Sequence, residues 1–114
     1  MHHDVHGKKV IVMDATRLGL EGELRNCFEG NSRFSITQLT TPRGGCRAIQ
    51  NANGSAESMI VAVGDMHGVQ EADKAALLQN LWLQLGVKPT KIINFTSAMP
   101  AEKLAEHIAS CVTA

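Results

Sequence analysis

Asp14 directly follows an apolar run ending at Met13, and Asp65 follows one ending at Val63 with only Gly64 between. If the two runs lie side by side and point the same way, their carboxylates face one crevice. Paired carboxylates can hold Mg²⁺, with water filling the remaining positions. Thr16, His67, Thr96 and Ser97 fall at the same strand ends and could add hydroxyl or imidazole groups. Asp after a strand also caps turns and helices, which is its commoner use. Other candidates carry less. Thr41-Pro42-Arg43-Gly44-Gly45 could offer backbone N–H groups to a phosphate, but it lacks the Lys-Ser/Thr ending of a P-loop and reads as a loop. No Gly-x-Gly-x-x-Gly follows the first apolar run, so a dinucleotide site is not expected. Cys27 and Cys111 lie on apolar helix faces and read as core. Cys46, beside Arg43 and Arg47, has the one basic setting that could lower a thiol pKa, but it reads as a bystander.

Composition narrows the field. The 114 residues make a single domain, 1–114, large enough to fold on a hydrophobic core alone. Eleven basic and eleven acidic residues cancel, and neither half of the chain is polarised. This balance gives no electrostatic basis for binding nucleic acid or a membrane surface. Aromatics are 4% of the chain, too few for a base-stacking platform. The three cysteines are scattered, with no CxxC and no His or Cys partners at zinc spacing. Free thiols of this kind suit a reducing cytoplasm. Met59–Val63, the longest apolar run, is far too short to span a bilayer. His2, His3 and His6 read as a frayed terminus without a hydrophobic signal region.

The elements that must position these groups alternate in type. Lys8–Met13 and Ser58–Val63 read as strands buried on both faces, and Lys91–Phe95 as a further strand. Arg33–Leu39 alternates apolar and polar residues, as a half-exposed strand near an edge would. Leu20, Leu24 and Cys27/Phe28 mark a helix with Thr16 as its N-cap, stopped at Gly30-Asn31. Gly19 and Gly22 would let this helix pack closely on the sheet. Thr40–Gly45 is a loop, Cys46–Asn51 a weak helix, and Asn51–Ser55 another loop. Val69, Ala72, Ala76, Leu77, Leu81 and Leu85, widened by Leu78 and Trp82, form the stripe of the clearest helix, closed by Gly86 and Pro89. Pro100 opens a last helix, which buries Leu104, Ala105, Ile108, Ala109 and Val112. The order β-α-β-(α)-β-α-β-α predicts an α/β fold: a three-layer, flavodoxin-like parallel sheet of about four strands in order 2-1-3-4. Sites in such sheets form at the carboxyl ends of the strands, near the switch in order. A sheet that stops at its fourth strand would leave an open edge or an uncovered apolar strip.

This alternation, the acids ending strands one and three, and Ser97-Ala98 ending strand four resemble a receiver (CheY-like) domain of a response regulator. Thr16-Arg17-Leu18-Gly19-Leu20-Glu21-Gly22-Glu23-Leu24 is similar to the first helix of receiver-like domains in LuxR-type transcription regulators, the Rcs-type capsule regulators among them. The resemblance implies that Asp65 is the phospho-acceptor, Asp14 an acid of a Mg²⁺ pocket, and Ser97 or Thr96 the hydroxyl that senses the phosphoryl group. Three departures count against that chemistry. Met13 stands where receivers carry a second acid, Met66-His67-Gly68-Val69 replaces the usual segment after the acceptor, and the fifth strand with its lysine is missing. An acyl phosphate needs such cations to offset its developing charge. The expectation is therefore a pseudo-receiver: not an enzyme, without a required cofactor, acting through a protein partner or as a dimer. The DNA-binding helix-turn-helix of a longer regulator is not in this sequence. Val63-Gly64-Asp65-Met66-His67-Gly68 also resembles the first metal motif of calcineurin-like phosphoesterases, in which Asp and His bind a two-metal centre. After His67 the chain has only His107, and Gly86 is its last glycine, so the downstream motifs of that family have no counterpart.

Overall fold

The structure is a computed structural model that describes residues 9–28, 35–51, 59–85 and 91–113. Strands β1 (Lys9–Met13) and β3 (Met59–Val63) are near-continuous apolar runs, and their side chains are buried on both faces. Such runs belong inside a parallel sheet. β2 (Ser35–Leu39) and β4 (Ile92–Asn94) flank them, and all pairings are parallel in the order β2-β1-β3-β4. The register places Val10 between Ile36 and Ile60, and Ile92 opposite Val61. The fold is the expected flavodoxin-like α/β arrangement, with helices α1 (Leu20–Cys27), α2 (Pro42–Asn51), α3 (Glu71–Leu85) and α4 (Ala101–Thr113).

Strand alternation divides the core in two. Val10, Val12, Ile36, Ile60, Ala62 and Ile93 face α1 and α4, where they meet Leu20, Leu24, Phe28, Leu104 and Ile108. Ile11, Met13, Met59, Val61, Val63 and Ile92 face α2 and α3, where they meet Ile49, Leu78 and Leu81. Each fully buried Leu or Ile contributes about 1.5–3 kcal/mol. The chirality of crossovers accounts for the layering. The chain moves one way along the sheet from β1 to β2 and the other way from β2 to β3 and β4. Right-handed connections therefore put α1 on one face and α2 and α3 on the other. α4 returns to the face of α1 and packs against it. It thereby covers Ile93 and Phe95 on that side of β4. Ile92 and Ile93 are each 7% exposed, so the apolar faces of β4 that the sequence put at risk are covered.

Several local expectations are corrected. α1 begins at Leu20, with Gly19 rather than Thr16 at its N-cap. Gly19 has φ +85, a left-handed conformation that glycine adopts without strain. Its cap is long-range: Gln38 Oε1, from β2, accepts Glu21 N at 2.9 Å, and Glu21 Oε1 accepts Gln38 N at 2.9 Å. Gly19 and Gly22 are exposed and do not serve close packing on the sheet; a Cβ at either would meet nothing within 4 Å. α2 starts at Pro42, inside the expected loop. Thr41 Oγ1 accepts Gly44 N at 3.0 Å, and Pro42 sits at the first helical position, where its missing N–H is harmless. On α3, Ala72 and Ala76 are exposed, while Lys74, Leu78 and Leu81 form the buried line. The expected stops at 30–31 and 86–89, the loop after Asn51, the N-terminal histidines and the side chains of Trp82, Leu85 and Val112 lie outside the described residues.

Candidate functional site

The carboxyl ends of β1, β3 and β4 bring Asp14, Asp65 and Ser97 together. Backbone bonds run across this rim: Gly64 N donates to Met13 O at 2.8 Å, Ala15 N to Asp65 O at 2.9 Å, and Phe95 N to Val63 O at 2.9 Å. Asp14 is 0% exposed. Its Oδ1 accepts Thr16 N at 2.9 Å and Arg17 N at 2.8 Å. Its Oδ2 accepts Asp65 N at 3.1 Å and Ser97 Oγ at 2.7 Å. A carboxylate has about four lone-pair sites, so the chain itself fills them. Hydrogen bonds from donors to a charged acceptor are the strong kind, each contributing about 1.5–3 kcal/mol. Gly64 makes room for this arrangement, since a Cβ there would run into Asp14 Oδ2 and the Phe95 ring.

Asp65 is differently placed. Its side chain is 42% exposed. Oδ2 accepts Ser97 N at 2.8 Å, and Oδ1 lies 3.9 Å from Lys74 Nζ. Ser97 thus joins both carboxylates, and its hydroxyl also contacts Thr16 Oγ1. Of the other expected rim residues, Thr96 and His67 are exposed, and neither side chain bonds to a carboxylate among the described residues. No cluster of three His, Cys, Asp or Glu able to hold a metal occurs among the described residues.

Two residues that the sequence did not single out complete the site. Lys74 is 5% exposed and donates to Phe95 O at 2.9 Å, so α3 sends a cation to the end of β4. The available signal was its spacing: Lys74, Leu78 and Leu81 fall at four and three residues, one face of the helix. Arg17 spans the rim from outside. Its guanidinium donates to the carbonyls of Ser97 and Met99 and pairs with Glu23 at 2.9 Å, tying the loop after β1 to the loop after β4. A surface groove of about 280 Å³, lined by Leu18, Gly19, Glu21, Gly22, Gln38 and Thr40, includes neither aspartate.

The cysteines are half-buried rather than fully core. Cys27 is pushed up to about 11, first by burial and then by its hydrogen bond to Glu102 Oε2 at 3.3 Å. Burial also raises Cys46, so the exposed Arg43 and Arg47 do not make it a reactive thiol. Burial raises Cys111 as well. None has the depressed pKa of a nucleophilic thiol. No helix among the described residues is long and apolar enough to cross a membrane. No protein-family model, curated protein or solved structure matches the chain.

Proposed function

We propose that this chain is a receiver-like regulatory domain of a signalling or transcription-control system, acting in the cytoplasm by docking onto protein rather than by chemistry. The observation that carries this reading is the state of Asp14. A Mg²⁺ ion at the switch point needs free carboxylate oxygens. Both oxygens of Asp14 are already occupied by amides and a hydroxyl of the same chain, in a fully buried setting. Replacing those donors with a hydrated cation would strip part-buried N–H groups of their acceptor, at up to about 1–3 kcal/mol each. The second acid of a receiver pocket is also missing, since Met13 stands before Asp14 and is buried in the core. The rim is built as a clamp between strands, which suits a rigid platform for partner proteins. The receiver resemblance supports the same assignment.

One observation favours a second reading, in which Asp65 accepts a phosphoryl group. Asp65 is half open to solvent, and Lys74 Nζ stands 3.9 Å from its Oδ1. This lysine offers from α3 the cation that receivers carry on a fifth strand. In that case an Asp65 oxygen would attack phosphorus, the donor's leaving group would depart, and Lys74 with Ser97 N would face the new phosphoryl oxygens. Treatment with acetyl phosphate and Mg²⁺, followed by intact-mass spectrometry, separates the two. The docking reading expects no adduct. A phosphoryl adduct that disappears in Asp65→Ala would establish the second reading in its place.

A further inference from the structure

The two edges of the sheet are finished differently. In a parallel ladder alternate residues turn their N–H and C=O groups toward the same neighbour. On β2, Leu39 O bonds inward to Asp14 N, so Ile36 and Gln38 face outward. Side chains of α1 reach over to meet them: Arg25 Nη2 donates to Ile36 O at 2.9 Å, and Glu21 Oε1 accepts Gln38 N at 2.9 Å. Charged side chains laid along an edge block further strand addition. On β4, Phe95 N bonds inward to Val63 O, so Ile92 and Asn94 face outward. Among the described residues no side chain or backbone group hydrogen-bonds to their outward N–H and C=O groups, although Ile92 and Ile93 are only 7% exposed and helices cover both faces up to this strand.

We infer that the β4 edge is the surface through which a second copy of this chain docks, antiparallel, about a twofold axis at Ile93. The inference rests on the protein-docking reading and names its partner. The register supplies the argument. With Ile93 on the axis, Ile92 faces Asn94 of the second copy, and Asn94 faces its Ile92. Residues so opposed exchange both their N–H and C=O groups, so the outward groups on each side find partners. Lys91 then faces Phe95 of the second copy rather than another lysine, so like charges are not opposed. The formal net charge of zero gives two copies no long-range repulsion to overcome. The result is one continuous sheet whose outer ends are the two edges guarded by α1.

Light scattering and amide exchange test this on the full chain. The expected result is a dimer at high micromolar concentration, in which the amides of Ile92 and Asn94 slow as concentration rises while those of Ile93 and Phe95 stay protected throughout. Asn94→Pro removes an outward N–H without touching an inward one and is expected to be monomeric. A monomer at all concentrations would overturn the proposal, as would a dimer whose Ile92 and Asn94 amides exchange at a concentration-independent rate. Both results are independent of the acetyl phosphate experiment, so failure of this interface is distinguishable from failure of the docking reading.

Discussion

Asp14 and Asp65 are the same residue type, each ending a buried parallel strand, yet they have different surroundings. Asp14 is enclosed, with each oxygen held by at least two donors of its own chain. Asp65 is half open, with one backbone amide on Oδ2 and an ammonium at 3.9 Å from Oδ1. The difference comes from the path of the chain beyond each strand. After β1 the chain turns back at once, so the amides of Thr16 and Arg17 close on the preceding carboxylate in an Asx-type turn. After β3, Asp65 lends its own amide to Asp14, and its side chain is directed to the loop after β4. A strand-end carboxylate is therefore available for chemistry only if the next residues leave it so.

Breaking the enclosed side should have the largest effect. Asp14→Ala leaves two loop amides, the Asp65 amide and the Ser97 hydroxyl without their acceptor. The expected loss in urea unfolding is about 3–5 kcal/mol, because four hydrogen bonds to a charged acceptor of about 1.5–3 kcal/mol each are lost while the part-exposed donors regain water. Asp65→Ala is expected to cost about 1–2 kcal/mol, because that carboxylate is partly solvated and screened. Equal losses for the two variants would remove the distinction. The smallest effect lies beside the site. Gly22 is exposed in the interior of α1 with space around it, so Gly22→Ala should stabilise the protein by about 0.5–1 kcal/mol in the same measurement.

The legible and illegible parts of the molecule divide along physical lines. The sheet could be read because β1 and β3 are continuous apolar runs, which parallel sheets require. Their parallel order then placed Asp14, Asp65 and Ser97 at one rim. The first turn of α2 is masked in the sequence by Gly44 and Gly45, whose helix propensity is low, yet Thr41 as cap and Pro42 at the first position outweigh them. The role of Gln38 in capping α1 was not visible, since it acts across seventeen residues of sequence from Glu21. Lys74 is hidden in the sequence because a lysine among apolar residues reads as a solvated side chain. Only the fold brings the Phe95 carbonyl and Asp65 within its reach. The guarding of β2 by Glu21 and Arg25 depends on how α1 lies against the strand, which no local pattern carries.

A Mg²⁺ titration followed on the backbone amides of Thr16, Arg17, Asp65 and Ser97 tests the self-occupied rim most directly, since these amides report on the two carboxylates. The expected result is that all four signals stay in place to millimolar Mg²⁺. Saturable movement of the Thr16 and Arg17 signals would show Asp14 exchanging its own donors for the metal, and would contradict a rim closed by the chain itself.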